Sequence, residues 1–443
     1  MHIALITAGG AGMFCGSCMH DNTWARALMA QGHRVTLIPT YTPIRVDEEN
    51  QSAADVFLGG INVYLDYRLP FWRKIPRGLT RWLDSPGIIN LATKLSARNN
   101  ASGLGPLTLA MLDGEQGPLK REIDELVSFV ARDLKPDVVC FSNALLIGVL
   151  RNLRANYPGT IFCTLQGDDI FLKDLPDKYR APAIEKIHER AEDFDGFLVH
   201  SRYYRDFMAA YLNLPAERFH QIPLGIDLAG HDGQVKNASG EPFTVGYFAR
   251  VCPEKGLHNL VAAFRLLHKR HPNTRLVAGG YLGSRDAKYF KSLRRAARDL
   301  GDAFQYAGSP ESHAEKVKLI RSFDVMSVPT DYHEPKGISI LEALANGVPV
   351  VQPDHGAFPE LIEATGGGLL VPPQNPQALA DALESLLLDS TLRRELALTG
   401  QARVREQFTL ASLAKETALI FEREHAKMAP IEKPEPSPCS CGG

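Results

Sequence analysis

At 443 residues the chain exceeds what one hydrophobic core usually serves, so two domains are expected; 44% hydrophobic and 23% charged residues is the composition of a soluble globular protein. A formal net charge of -2 excludes a global attraction to nucleic acid or anionic lipid and leaves anion recognition to local sites. Seven mostly scattered cysteines argue against a secreted disulfide framework, and no apolar run approaches the roughly 20 residues that cross a bilayer.

From the start, Ile3 to Thr7 reads as a buried strand running straight into a glycine loop, without a basic leader or cleavage site, so a cytoplasmic location is expected. A helical pattern then ends at Gly32, and Val35 to Ile38 closes a β-α-β unit. Cys15-Gly16-Ser17-Cys18 at the helix start has redox or metal-ligand spacing, with Cys439 and Cys441 as further thiolates in the tail. A packing role is the simpler reading of a lone Cys-x-x-Cys, and no metal is expected. His20 and Asp21, just behind Cys18, are candidates to face a cleft.

An insertion over about residues 64–115 interleaves aromatics such as Tyr67, Phe71, Trp72 and Trp82 with Arg68, Arg73, Lys74, Arg77 and Arg81. Docking on a membrane surface and packing that shapes an acceptor side are equal readings, since prolines break any long amphipathic helix. Val138–Phe141, Ile161–Leu165 and Gly196–Val199 are short apolar runs of the kind buried in a parallel sheet. Between them, Gln166, Asp168 and Asp169 are polar candidates on a loop, with a helix N-cap before Ile170 as the plainer role of the aspartates.

Beyond Pro223–Asp227, the polar stretch His231–Glu241 reads as a linker. Strands are then expected at Phe243–Phe248, Arg275–Ala278, Phe304–Ala307, Asp324–Val328, Val348–Val351 and Gly368–Val371. The pattern predicts domains over 1–227 and 228–405, a helix over 406–427 returning to the first, and a disordered, proline-rich tail over 428–443.

The string His333 to Glu342 sets two glutamates eight positions apart across a glycine turn. Gly337 ends a loop, Ile338 to Asn346 has helical spacing, and Gly347 and Pro349 stop the helix. The N–H groups at the helix start, near Ile338 and Ser339, suit a phosphate. Glu342, a turn inside, can accept from a ribose, and Glu334 from a second polyol. Arg250 and Lys255 follow a buried strand at the mouth of a sheet, where two cations can neutralise a diphosphate.

These features together resemble the GT-B glycosyltransferases, in particular retaining family four. The resemblance rests on Glu334 to Glu342, on Gly246 to Gly256 and on Pro223 to Asp227, and covers most of the chain. It implies an α/β fold of two tandem Rossmann-like, doubly wound domains facing an interdomain cleft, with C-terminal helices. Arg250 and Lys255 match the positions that clasp the donor diphosphate, and Gly16 matches a glycine where backbone approaches the donor. Lys336 departs from an aromatic or aliphatic residue, Cys15 from a glycine and Leu224 from an asparagine. Gln166 stands where a histidine is expected near the acceptor, and cannot exchange a proton.

The implied enzyme is a hexosyltransferase moving a hexose, with retention, from a nucleoside diphosphate sugar such as a UDP- or GDP-hexose to a saccharide or lipid-linked acceptor. Arg250, Lys255 and Glu334 are the expected catalytic residues; Gly16, Gly337, Ile338, Ser339 and Glu342 would bind donor; Gln166, Asp168 and His20 lie on the acceptor side. The leaving phosphate takes the acceptor proton, so no cofactor or metal is expected, nor any nucleic-acid partner, and peripheral contact at the inner membrane face fits a lipid-linked acceptor. A sugar-nucleotide epimerase of the same architecture and a non-catalytic carbohydrate-binding relic are the alternatives.

Overall fold

The computed structural model of the protein describes residues 1–9, 16–40, 44, 46, 49–53, 75, 105–231, 233–236 and 242–428. The reading of Cys15, nearly all of the aromatic and basic segment 64–82, and the expected tail with Cys439 and Cys441 lie outside the described residues.

Among the described residues, twelve parallel strands form two six-stranded sheets. The first runs β2-β1-β3-β4-β5-β6, from β1 (His2–Thr7), β2 (Arg34–Pro39), β3 (Val138–Phe141), β4 (Thr160–Thr164), β5 (Gly196–Val199) and β6 (Phe219–Gln221). The second runs β12-β11-β10-β7-β8-β9, from β7 (Phe243–Phe248), β8 (Thr274–Gly279), β9 (Phe304–Gly308), β10 (Val325–Met326), β11 (Val350–Pro353) and β12 (Gly368–Val371). Read from β9, the second sheet has the strand order of a dinucleotide-type doubly wound domain. Strands β3 and β5 are apolar and, like β4, buried throughout, because crossover helices cover both faces.

The order of each sheet reverses once, between β1 and β3 and again between β7 and β10. Loops leaving neighbouring strands there diverge to opposite faces and open a crevice at the carboxyl ends, the usual ligand position. The helix that follows β1, Gly16–Ala30, carries Asp21, and the loops after β3 and β4 carry Ser142 and Gln166; those after β7 and β10 carry Arg250, Lys255 and Glu334.

The chain crosses between domains twice, side by side: Ile226 N–H donates to the Phe408 carbonyl at 3.0 Å, and Ile226 pairs with Thr409. The last helix, Leu410–Met428, then packs on the first domain, where Leu413, Ala414, Ile420 and Phe421 join the core of Trp24, Leu28 and Phe162. Among the described residues no helix is long and apolar enough to cross a membrane.

Candidate active site

Beyond β7 the chain turns through Arg250 into a short 3-10 turn, Pro253–Lys255. Gly256 follows at φ +69°, and a Cβ there would sit 1.7 Å from the Pro329 carbonyl oxygen, so only glycine lets the loops after β7 and β10 close on each other. That approach aims Lys255 into the β10 loop. Its Nζ donates to Glu334 Oε2 at 2.6 Å and to the Tyr332 hydroxyl at 2.5 Å, while Tyr332 donates to the same carboxylate oxygen at 2.5 Å.

The other oxygen, Oε1, faces the start of helix α1 (Ile338–Ala345), accepting from the N–H groups of Lys336 at 3.4 Å and Gly337 at 3.3 Å. Gly337, at φ +87°, turns the chain into the helix, and a Cβ would meet Leu361 Cδ1 at 2.6 Å. Burial pushes the Glu334 carboxyl up, but Lys255, then Tyr332 and Lys336, outweigh it and hold it below its ordinary value. Burial drives the Tyr332 phenol far above its own, so it remains a donor. Glu334 is thus an anion held on one oxygen by Lys255 and Tyr332 and on the other by loop N–H groups: it aims Lys255 and braces the loop. Tyr332, missed in the sequence, lies two residues before Glu334 with nothing to mark it.

Arg250 is exposed at the head of this turn, and Cys252, Glu254 and Asp286 beside it favour its charged form. Ile338 and Ser339 are half-buried and head α1. Glu342 is buried, and its Oε1 lies 3.0 Å from Nζ of Lys316 on the helix His313–Arg321. This partner was also missed, since a lysine in an amphipathic helix ordinarily points to water. Gly16 begins the helix Gly16–Ala30, and among the described residues nothing lies within 4 Å of where a Cβ would stand.

The acceptor-side candidates come together beneath the β1, β3 and β4 loops. Gln166 is buried; its Nε2 donates to Asp21 Oδ1 at 2.9 Å and to the Ser142 carbonyl at 3.3 Å, and its Oε1 accepts from Lys336 at 2.9 Å. The Thr7 hydroxyl donates to Asp21 Oδ2 at 2.7 Å. Asp168 opens the helix Asp168–Lys173 but caps nothing there. Its carboxylate accepts instead from Ala144 N–H at 2.6 Å and Gln166 N–H at 3.0 Å, joining two loops, and burial pushes it up to about 6. Asp169 accepts from the Tyr204 hydroxyl at 2.8 Å. Gln166 and Asp168, expected to contact acceptor, are therefore occupied by protein.

His20 lies buried between Trp24 and His200, its ring 4.7 Å from that of His200 in an edge-on contact. Nδ1 stands 3.5 Å from Asp21 Oδ1, and no ring nitrogen of either histidine has a hydrogen-bond partner among the described residues. Burial lowers both rings; Asp21 opposes this at His20 while Lys336 adds to it, and at His200 the neighbouring His20 and Lys336 lower it further. Both are neutral imidazoles at pH 7.

Residues 232–403 match the family of glycosyl transferases group 1. An uncharacterized glycosyltransferase of Methanocaldococcus jannaschii is 32% identical over 178 residues, 40% of this chain and 44% of that protein. The chain spans about half the length of the curated relatives it matches. Among solved structures, the sucrose-phosphate synthase of Thermosynechococcus elongatus superposes with a TM-score of 0.71 at 20% identity, covering 96% of this chain and 99% of that one. The Anabaena protein HepE in complex with UDP-glucose gives 0.65 at 16% identity, covering 95% and 99%. The fold is GT-B.

Proposed function

We propose that the protein is a retaining hexosyltransferase that takes its sugar from a nucleoside diphosphate sugar and passes it to an acceptor hydroxyl. The observation that carries this reading is the Lys255–Tyr332–Glu334 cluster at the β7/β10 reversal, beside exposed Arg250 and the start of α1. As the bond from sugar to phosphate stretches, negative charge gathers on the diphosphate. Arg250, Lys255 and the helix start receive it, while Glu334 keeps the ammonium aimed and is itself already charged. Glu342 is the ribose acceptor, with Lys316 holding one of its oxygens. The leaving phosphate takes the acceptor proton, and no metal or cofactor enters the scheme.

The match to glycosyl transferases group 1 supports transfer as the reaction class, and HepE, solved with UDP-glucose, supports a nucleotide sugar as donor. A charged diphosphate crosses a bilayer at high cost, so the donor and the enzyme belong in the cytoplasm, with a lipid-linked acceptor reached at the inner membrane face. The test is a thermal-shift screen of UDP- and GDP-hexoses. A true donor raises the melting temperature, Glu342→Ala removes most of the shift, and Lys255→Ala removes turnover with the same donor. No shift with any nucleotide sugar, or wild-type turnover in both variants, sinks the reading.

A further inference from the structure

The loop His333–Gly337 meets the first domain at three points. The Tyr203 hydroxyl lies 3.0 Å from His333 Nδ1, the Ser201 hydroxyl donates to the Pro335 carbonyl at 3.2 Å, and Lys336 Nζ donates to Gln166 Oε1 at 2.9 Å. Glu334, between them, faces the other way, to Lys255.

Lys336 belongs to both networks: its N–H goes to Glu334 and its ammonium to Gln166. The Gln166 amide has one workable orientation. An ammonium can only donate, so the amide oxygen faces Lys336; Asp21 and the Ser142 carbonyl can only accept, so the NH2 faces them. A continuous path therefore runs from Glu334 through Lys336, Gln166 and Asp21 to Thr7, from the reversal point of one sheet to that of the other. Lys336, Gln166 and Asp21 are 8%, 7% and 1% exposed, so water competes little and the charge-assisted bond is at its strongest.

We propose that Lys336 is a positioning residue that carries closure of the two domains to the Lys255–Glu334 pair. With the domains together, Gln166 fixes the Lys336 side chain, the loop main chain is held, and its N–H groups keep Glu334 turned toward Lys255. With the domains apart, that brace is gone and Lys255 loses its fixed aim. What the pair does in catalysis rests on the transferase reading; the coupling itself belongs to the chain alone.

Hydrogen exchange on the full chain tests it, without ligand and with uridine or guanosine diphosphate, in wild type, Lys336→Met, Lys336→Arg, Gln166→Leu and the Lys336→Met/Gln166→Leu pair. Losing the Lys336–Gln166 bond should speed exchange over residues 333–339 by at least roughly tenfold in Lys336→Met and in Gln166→Leu. The pair should be no faster than either single variant, Lys336→Arg should restore protection, and β7 should keep wild-type rates in all. Unchanged exchange in either single variant, or losses that multiply in the pair, overturns the coupling. The diphosphate arm is separate: if neither nucleotide protects residues 250–256 or 337–342 of the wild type, the donor reading fails while the comparison of variants still decides the coupling. With a donor in hand, Lys336→Met should lower kcat far more than it raises KM; equal effects on both would mark a contact to substrate and overturn the positioning role.

Discussion

The indole N–H of Trp24 donates to the hydroxyl of Thr417 at 3.2 Å, joining residues 393 positions apart. The last helix is thereby part of the first domain's core, and the Phe421 ring lies tilted against that of Phe162, with 5.0 Å between centroids. Phe421→Ala should cost about 3–5 kcal/mol, as expected for a large buried ring, and Thr417→Val about 1–3 kcal/mol, since it loses the hydroxyl's bond to the Leu413 carbonyl and strands the Trp24 N–H. Both are read from denaturant unfolding; a Phe421→Ala protein as stable as wild type would show that the helix is not part of that core.

The Lys316–Glu342 pair is buried on both sides. Lys316→Met strands a carboxylate and should cost about 3–5 kcal/mol, while Lys316→Met with Glu342→Leu should recover part of that loss, because both charges of this pair are then gone. Donor affinity should fall in the double variant as in Glu342→Ala. Calorimetry with nucleoside diphosphate separates the two effects, and full affinity in the double variant would remove Glu342 from the ribose site.

Glu334→Gln keeps the size of the side chain and removes its charge. A glutamine can still accept from Gly337, but it holds Lys255 more weakly, so turnover should drop by about 10²-fold with the fold intact. Because the Glu334 carboxyl lies below its ordinary value, it stabilises the protein fully above the unfolded-state value of 4.5, and that stability is lost as pH falls through the folded-state value. Unchanged melting temperatures for Glu334→Gln and wild type across pH 3 to 5 would contradict this.

The sheets were legible because buried parallel strands read as short apolar runs, and expectation and structure coincide within a residue or two at β3, β5, β7 and β12. β6, Phe219–His220–Gln221, escaped because an edge strand of three residues with two polar side chains has no such run. β10 shortens to Val325–Met326, and Ser327, still bonded through its N–H to Gly246, begins the turn toward the β10 loop. Lys255 and Glu334 were each visible as members of a string, whereas their mutual contact was not. Gln166 and Lys336 stood out singly as departures from the family pattern, and only the fold brings these residues, 170 positions apart, into one hydrogen bond.

The histidine pair sets an acid limit on the fold. His20 and His200 both titrate below the ordinary 6.5, so the unfolded chain binds protons that the native state refuses. Their stabilising contribution is complete above pH 6.5 and is lost progressively as pH falls from there toward the folded-state values. Buried Asp168 works oppositely: raised to about 6, it favours the native state below its unfolded value of 3.8, and that advantage is gone once pH rises through about 6. The two effects overlap between about pH 4 and 6, so single variants must separate them. His200→Phe should flatten the fall in melting temperature below pH 6.5, since a phenyl ring keeps the edge contact with His20 and takes up no proton. If the acid limb of His200→Phe matches wild type, groups other than His200 govern it.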